Sequence, residues 1–146
     1  MMKLSIDNIS LNQSFETAEE AINYSGEQLV NLGYVTEDYL EKMQERHQLA
    51  SVYIGNFVSL PHGSGNSEIV LEEGLFLTQV PDGVDFGNGS QRQIAIIIIA
   101  VAVKSENQLD FLQELAFFCS DIENIKKLSD SNDKNEVLKL LNQGLF

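Results

Sequence analysis

The chain has 146 residues, 43% of them hydrophobic, and a formal charge of −13. That length supports one hydrophobic core and predicts a single domain over residues 1–146. The acidic balance argues against general nucleic-acid binding, which needs cations against phosphates, and fits either plain solubility or steering of a basic protein partner.

The N-terminus lacks the long apolar stretch of a signal peptide. Residues 8–11 read as a short first strand. Thr17 with Glu20 three positions on is a capping-box pattern, and Ala21, Ile22, Leu29, Val30 and Leu32 form the apolar stripe of the helix that follows, with Gly33 as its stop. Thr36 is placed as the cap of a second helix running to about Leu49. Residues 51–60 are β-rich and interrupted by Gly55-Asn56, which suits two short strands or a strand and a turn. Residues 69–80 read as the next strand, with a turn at Pro81-Asp82-Gly83.

Residues 94–103 form a continuous isoleucine-rich apolar run, about half the length of a membrane-spanning helix and typical of a strand covered on both faces. Helical segments at 107–120, 122–128 and 133–141 finish the chain. Cys119, the only cysteine, lies among apolar neighbours; it reads as a packed small hydrophobe before a reactive thiol, and a lone cysteine suits a reducing cytoplasm. Helices before and after a doubly covered sheet predict an α/β chain folded as a three-layer helix–sheet–helix sandwich.

Two histidines are available for chemistry. His47 sits in a polar helical stretch, Gln44-Glu45-Arg46-His47-Gln48. His62 sits at a probable strand end, in Leu60-Pro61-His62-Gly63-Ser64-Gly65. Proline restricts the backbone before it, and small residues after it leave room for a bulky anion and offer backbone donors. A neutral imidazole is nucleophilic near pH 7 and can accept and release a phosphoryl group; on local sequence alone, a histidine bonded within a turn is the favoured reading. Arg46, whose helix leads into residues 51–62, is the second candidate, since a guanidinium holds phosphate oxygens in bidentate geometry. A phosphate-binding P-loop, a dinucleotide-binding glycine pattern and zinc-ligand spacing are all missing, so no cofactor or metal is expected.

The segment from Arg46 to Gly63, with Leu49-Ala50-Ser51-Val52-Tyr53-Ile54-Gly55-Asn56 leading into Pro61-His62-Gly63, resembles the EIIA component of the bacterial sugar phosphotransferase system. The likeness is greatest to the mannitol branch of the mannitol/fructose type. Pro81-Asp82-Gly83-Val84-Asp85-Phe86-Gly87, the run from residue 94 to 104, and Glu136-Val137-Leu138-Lys139-Leu140-Leu141 extend it along nearly the whole chain.

The resemblance implies a central mixed sheet flanked by helices. It also implies that His62 accepts a phosphoryl group from the carrier HPr and passes it to a cysteine of EIIB, which serves the membrane component EIIC, and that Arg46 holds the phosphoryl oxygens. Two positions depart from the pattern. Gln108 stands where the mannitol branch usually carries a second active-site histidine; its amide can donate to a phosphoryl oxygen and cannot carry charge. His47 stands where an acidic residue often follows the arginine. No EIIB or EIIC part is attached, so a free cytoplasmic subunit is expected, touching a permease only through its partners. A regulatory module with weakened onward transfer is the alternative, and a hydrolase with His62 as base stands behind both. Transfer between proteins requires a shallow depression at His62 with an apolar rim, for which Phe57 and Leu60 are candidates.

Overall fold

A computed structural model describes residues 3–145. Met1, Met2 and Phe146, the ends of the expected domain, lie outside the described residues. A five-stranded mixed sheet with strand order β1-β4-β5-β3-β2 forms the middle layer. The strands are β1 (Ile9–Ser10), β2 (Tyr53–Gly55), β3 (Val58–Ser59), β4 (Gly74–Asp85) and β5 (Ile94–Ala102). Helices α1 (Ala18–Asn31) and α2 (Asp38–Leu49) cover one face; α3 (Gln108–Cys119), α4 (Ile122–Asp130) and α5 (Lys134–Gly144) cover the other.

The isoleucine-rich run becomes β5, bonded antiparallel to β4 and parallel to β3. Its side chains divide by the twofold period of a strand. Ile98, Ala100 and Ala102 enter the core under α1 and α2, whereas Ile97, Ile99 and Val101 enter the core under α3, α4 and α5. That double covering is the physical reason for a strand with no polar face. Cys119 packs in the second core as a small hydrophobe, and burial pushes its thiol up to about 12.

Local signals hold where short-range chemistry decides. Thr17 caps α1, its Oγ1 accepting from Glu20 N–H at 3.2 Å. Asp133 likewise caps α5, accepting from Asn135 N–H. Residues 51–60 resolve into the β2–β3 hairpin, with Asn56 and Phe57 both at positive φ, as tight hairpin turns require.

Three expectations change. Thr36 does not cap α2 with its side chain: its Oγ1 is buried without a partner, and α2 starts at Asp38 behind Glu37. The Thr36 N–H instead donates to Ile69 O at 2.9 Å, so a long-range contact overrides the local cap. The strand expected at 69–80 begins at Gly74 and continues to Asp85. The expected turn at Pro81-Asp82-Gly83 lies inside it, where the β4–β5 register shifts between Gln79 and Val84. A bulge accommodates a proline that has no N–H to donate, and Gly83 takes a φ of 76° there.

Candidate functional site

His62 extends β3 past its last ladder residue. It bridges Val101 of β5 in parallel, and Val101 N–H donates to Pro61 O at 2.9 Å. The site thus forms at the carboxyl ends of two parallel neighbours, where loops leave the sheet and ligands commonly bind in α/β folds. The loop after β3 and the turn after β5 are tied together. Ser105 N–H donates to Gly65 O, and Gly65 N–H donates to Ser105 Oγ at 3.3 Å. Glu73 stiffens that turn by accepting from Lys104 N–H and Asn107 Nδ2.

Helix α2 closes the third side. Tyr39 is fully buried, and its hydroxyl accepts from Gly63 N–H at 3.0 Å and donates to Val101 O at 2.7 Å. Burial pushes the phenol up to about 12, so it remains a donor at any working pH. A Cβ on Gly63 would lie 3.0 Å from the Lys42 Cβ and 3.1 Å from the Met43 nitrogen, so only glycine lets α2 approach this closely. Tyr39→Phe strands the Gly63 donor and the Val101 acceptor in the interior. A stability loss of about 1–3 kcal/mol is expected in urea unfolding.

His62 is 6% exposed. Its Nδ1 lies 2.7 Å from Leu60 O. A carbonyl only accepts, so the proton of the neutral ring sits on Nδ1 and the lone pair on Nε2. Burial lowers the pKa of His62 below the ordinary 6.5, the Leu60 carbonyl opposes this, and the Arg46 charge adds to the lowering. The ring is therefore neutral and nucleophilic at pH 7. Between that lowered pKa and 6.5 the unfolded chain takes up a proton that the folded site refuses. His62 accordingly weakens the fold as pH drops through this window and has no such effect above it. An NMR titration of the His62 ring should give a midpoint below 6.5; one above it would mean that the Leu60 contact outweighs burial.

His62 lies on the floor of two adjoining depressions rather than beneath the helices. One, about 230 Å³, is lined by Lys42, Glu45, Arg46, Leu49, His62, Gly63, Ser64 and Gln108. The other, about 240 Å³ and mainly apolar, carries Arg46, Ile54, Leu60, His62, Leu109, Leu112 and Ala116 on its walls. The three residues singled out in the sequence, His62, Arg46 and Gln108, are thus brought together. Arg46 Nη1 donates to Ala50 O at 2.7 Å, which holds the guanidinium at the C-terminal end of α2. Gln108 donates through Nε2 to Gly63 O at 3.2 Å and opens α3, so the positive end of that helix dipole lies beside the same depression.

His47 stands apart. It is 3.6 Å from the Glu19 carboxylate, packs edge-on against Phe86, and lines a different cleft. Of the two rim candidates, Leu60 lines the apolar depression and Phe57 does not. Phe57 sits in the β2–β3 turn, five residues before His62 along extended chain, roughly 16 Å at strand rise. Ile54, Leu109, Leu112 and Ala116 supply the rim instead. The structure adds Tyr39 and Lys42, which stand in no sequence motif, to the surroundings of His62. Lys42 was detectable, because positions four apart share a helix face and Lys42 precedes Arg46 by four.

Among the described residues no group of three or more His, Cys, Asp or Glu could hold a metal ion, and no helix is long and apolar enough to cross a membrane.

The structure is thus a mixed sheet between two helical layers, with a histidine at the carboxyl ends of its parallel strands and an arginine lining the same depression. The chain belongs to the family described as phosphoenolpyruvate-dependent sugar phosphotransferase system, EIIA 2, whose model matches residues 2–144. It is 42% identical over 142 residues to the mannitol-specific phosphotransferase enzyme IIA component of Enterococcus faecalis, covering 97% of this chain and 98% of that one. Identity to the Bacillus subtilis protein of the same name is 38%, covering 98% and 99%. Among solved structures, the crystal structure of IIA mannitol from Escherichia coli superposes with a TM-score of 0.88 at 35% identity, covering 96% of this chain and 99% of that chain. A complex of enzyme IIAMTL with phosphorylated enzyme IIBMTL from Escherichia coli gives 0.88 at 34% identity, covering 98% and 99%.

Proposed function

We propose that this chain is a cytoplasmic phosphoryl carrier, acting as one EIIA domain over residues 1–146. It accepts a phosphoryl group from phospho-HPr on His62 and passes it to an EIIB cysteine, in support of uptake and phosphorylation of mannitol or a related sugar or polyol. The observation that carries this reading is the Nδ1 contact to Leu60 O at 2.7 Å, which leaves Nε2 as the free nucleophile on the floor of a depression shared with Arg46 and Gln108. The names of the relatives support the polyol, and the Escherichia coli complex with phosphorylated IIBMTL supports an EIIB-type partner.

In the forward step the Nε2 lone pair of His62 attacks phosphorus in line as the bond to the donor nitrogen breaks. The proton stays on Nδ1 and is donated to the Leu60 carbonyl, which steadies the positive charge that develops on the ring. Arg46 and the Gln108 amide offer donors to the phosphoryl oxygens. In the onward step a partner thiolate attacks phosphorus, an S–P bond forms as the P–Nε2 bond breaks, and the electron pair returns to Nε2 of His62. The apolar wall from Ile54, Leu109, Leu112 and Ala116 gives a transient partner a dry place to seat.

Incubation with phosphoenolpyruvate, enzyme I and HPr should place an acid-labile phosphate on the protein, and addition of EIIB should remove it. A chain that never labels is not a carrier. The uncharged Gln108 favours one second reading, a regulatory module: label that forms on His62 and never moves to any EIIB of a panel would select it.

A further inference from the structure

A phosphoryl group carries roughly −1.5 to −2 charge near pH 7. Here it would enter a chain whose formal charge is already −13. Gln108 contributes an amide without charge, and Glu45 lines the same depression and repels phosphate. Arg46 alone therefore leaves the incoming charge under-compensated. A second cation is at hand: Lys42 lines the depression with His62, Ser64 and Gln108, one helical turn before Arg46 on α2. The packing that places its stem is tight, since the Lys42 Cβ sits 3.0 Å from where a Gly63 Cβ would stand, beside the residue that follows His62. Among the described residues the ion pair at 3.6 Å joins His47 to Glu19, and no carboxylate neutralises Lys42 or Arg46 in this way.

We propose that Lys42 is the second cation of the phosphoryl site, its ammonium contacting a non-bridging oxygen of the group on His62. It supplies the positive charge that glutamine at 108 lacks. The inference rests on His62 being the acceptor. In the transfer step the P–N bond to His62 Nε2 forms while the bond from phosphorus to the donor nitrogen breaks, and the electron pair of that bond leaves with the donor. Lys42 keeps its proton throughout and acts by charge and hydrogen bonding.

The test compares wild type, Lys42→Gln and Lys42→Arg in three readouts: rate of phosphorylation by phospho-HPr, lifetime of the phosphorylated protein, and dependence of the rate on salt. Urea unfolding checks that all three are folded. Lys42→Gln should slow phosphorylation about tenfold, the size of one charge-assisted hydrogen bond, with a shorter phosphohistidine lifetime and a shallower salt slope. Lys42→Arg should keep at least about half the wild-type rate, because the charge is retained. A labelled wild type with an unaltered Lys42→Gln variant overturns the role of Lys42 and leaves the carrier reading standing. Equal losses in both variants also overturn it, because charge is then not what matters. An unlabelled wild type overturns the carrier reading itself, and the role of Lys42 with it.

Discussion

His62→Ala is expected to abolish phosphate labelling by phospho-HPr, to below a thousandth of the wild-type rate, while the protein stays folded. No other side chain in the depression offers an imidazole. Ser64 offers an alcohol, a weaker nucleophile than imidazole, and Gln108 and Arg46 are not nucleophiles. The only other histidine faces Glu19 and Phe86 in a separate cleft. The fold should tolerate the change, since the ring contributes one hydrogen bond to Leu60 O and lies past the carboxyl end of β3. The backbone bridge to Val101 does not depend on the side chain. Labelling that persists in His62→Ala, followed by mapping of the phosphate to another residue, would remove His62 from the chemistry.

Arg46→Ala should slow phosphorylation by on the order of a hundredfold, the scale seen when one preorganised charge-stabilising donor is removed from a transferring group. The guanidinium is tied to Ala50 O, so its position is set before any phosphate arrives and little ordering entropy remains to be lost. Lysine should rescue poorly. A point charge lacks the planar fork and cannot satisfy the Ala50 carbonyl and a phosphoryl oxygen together in the same geometry. Loss of the bond to Ala50 should leave stability nearly unchanged, because this end of α2 faces solvent. The His62 midpoint should rise slightly in Arg46→Ala, as a positive neighbour that lowers it has gone. Rapid-quench measurements of labelling, together with the NMR titration, separate the two effects. An unchanged rate removes Arg46 from the site.

Much of the architecture was legible along the chain because local physics coincides with the global fold. The run from 94 to 103 had to be doubly covered, and Thr17 had to cap, since few other structures satisfy those side chains. The failures share a cause. Thr36, Pro81 and the start of β4 are positions where long-range backbone bonding replaced the local solution: Ile69 O took the Thr36 N–H, and a bulge against β5 absorbed Pro81. Phe57 was a reasonable rim residue by sequence distance and a poor one in space, because extended strand carries it away from His62.

The sequence by itself determined the chemistry on offer: a histidine between proline and glycine at a strand end, an arginine one helix earlier, a glutamine at the head of a later helix. It also determined the alternation of layers, because hydrophobic period follows from residue order alone. Only the tertiary structure decided that these three residues share one depression and that His47 does not. Meeting there requires the parallel pairing of β3 with β5, which aligns the loops after each strand. It also requires the absence of a side chain on Gly63, which lets α2 and its Lys42 close on the same point. The tautomer of His62 is likewise a tertiary fact. It depends on where the Leu60 carbonyl points, and that depends on the hand-over of Pro61 and His62 to Val101 past the carboxyl end of β3.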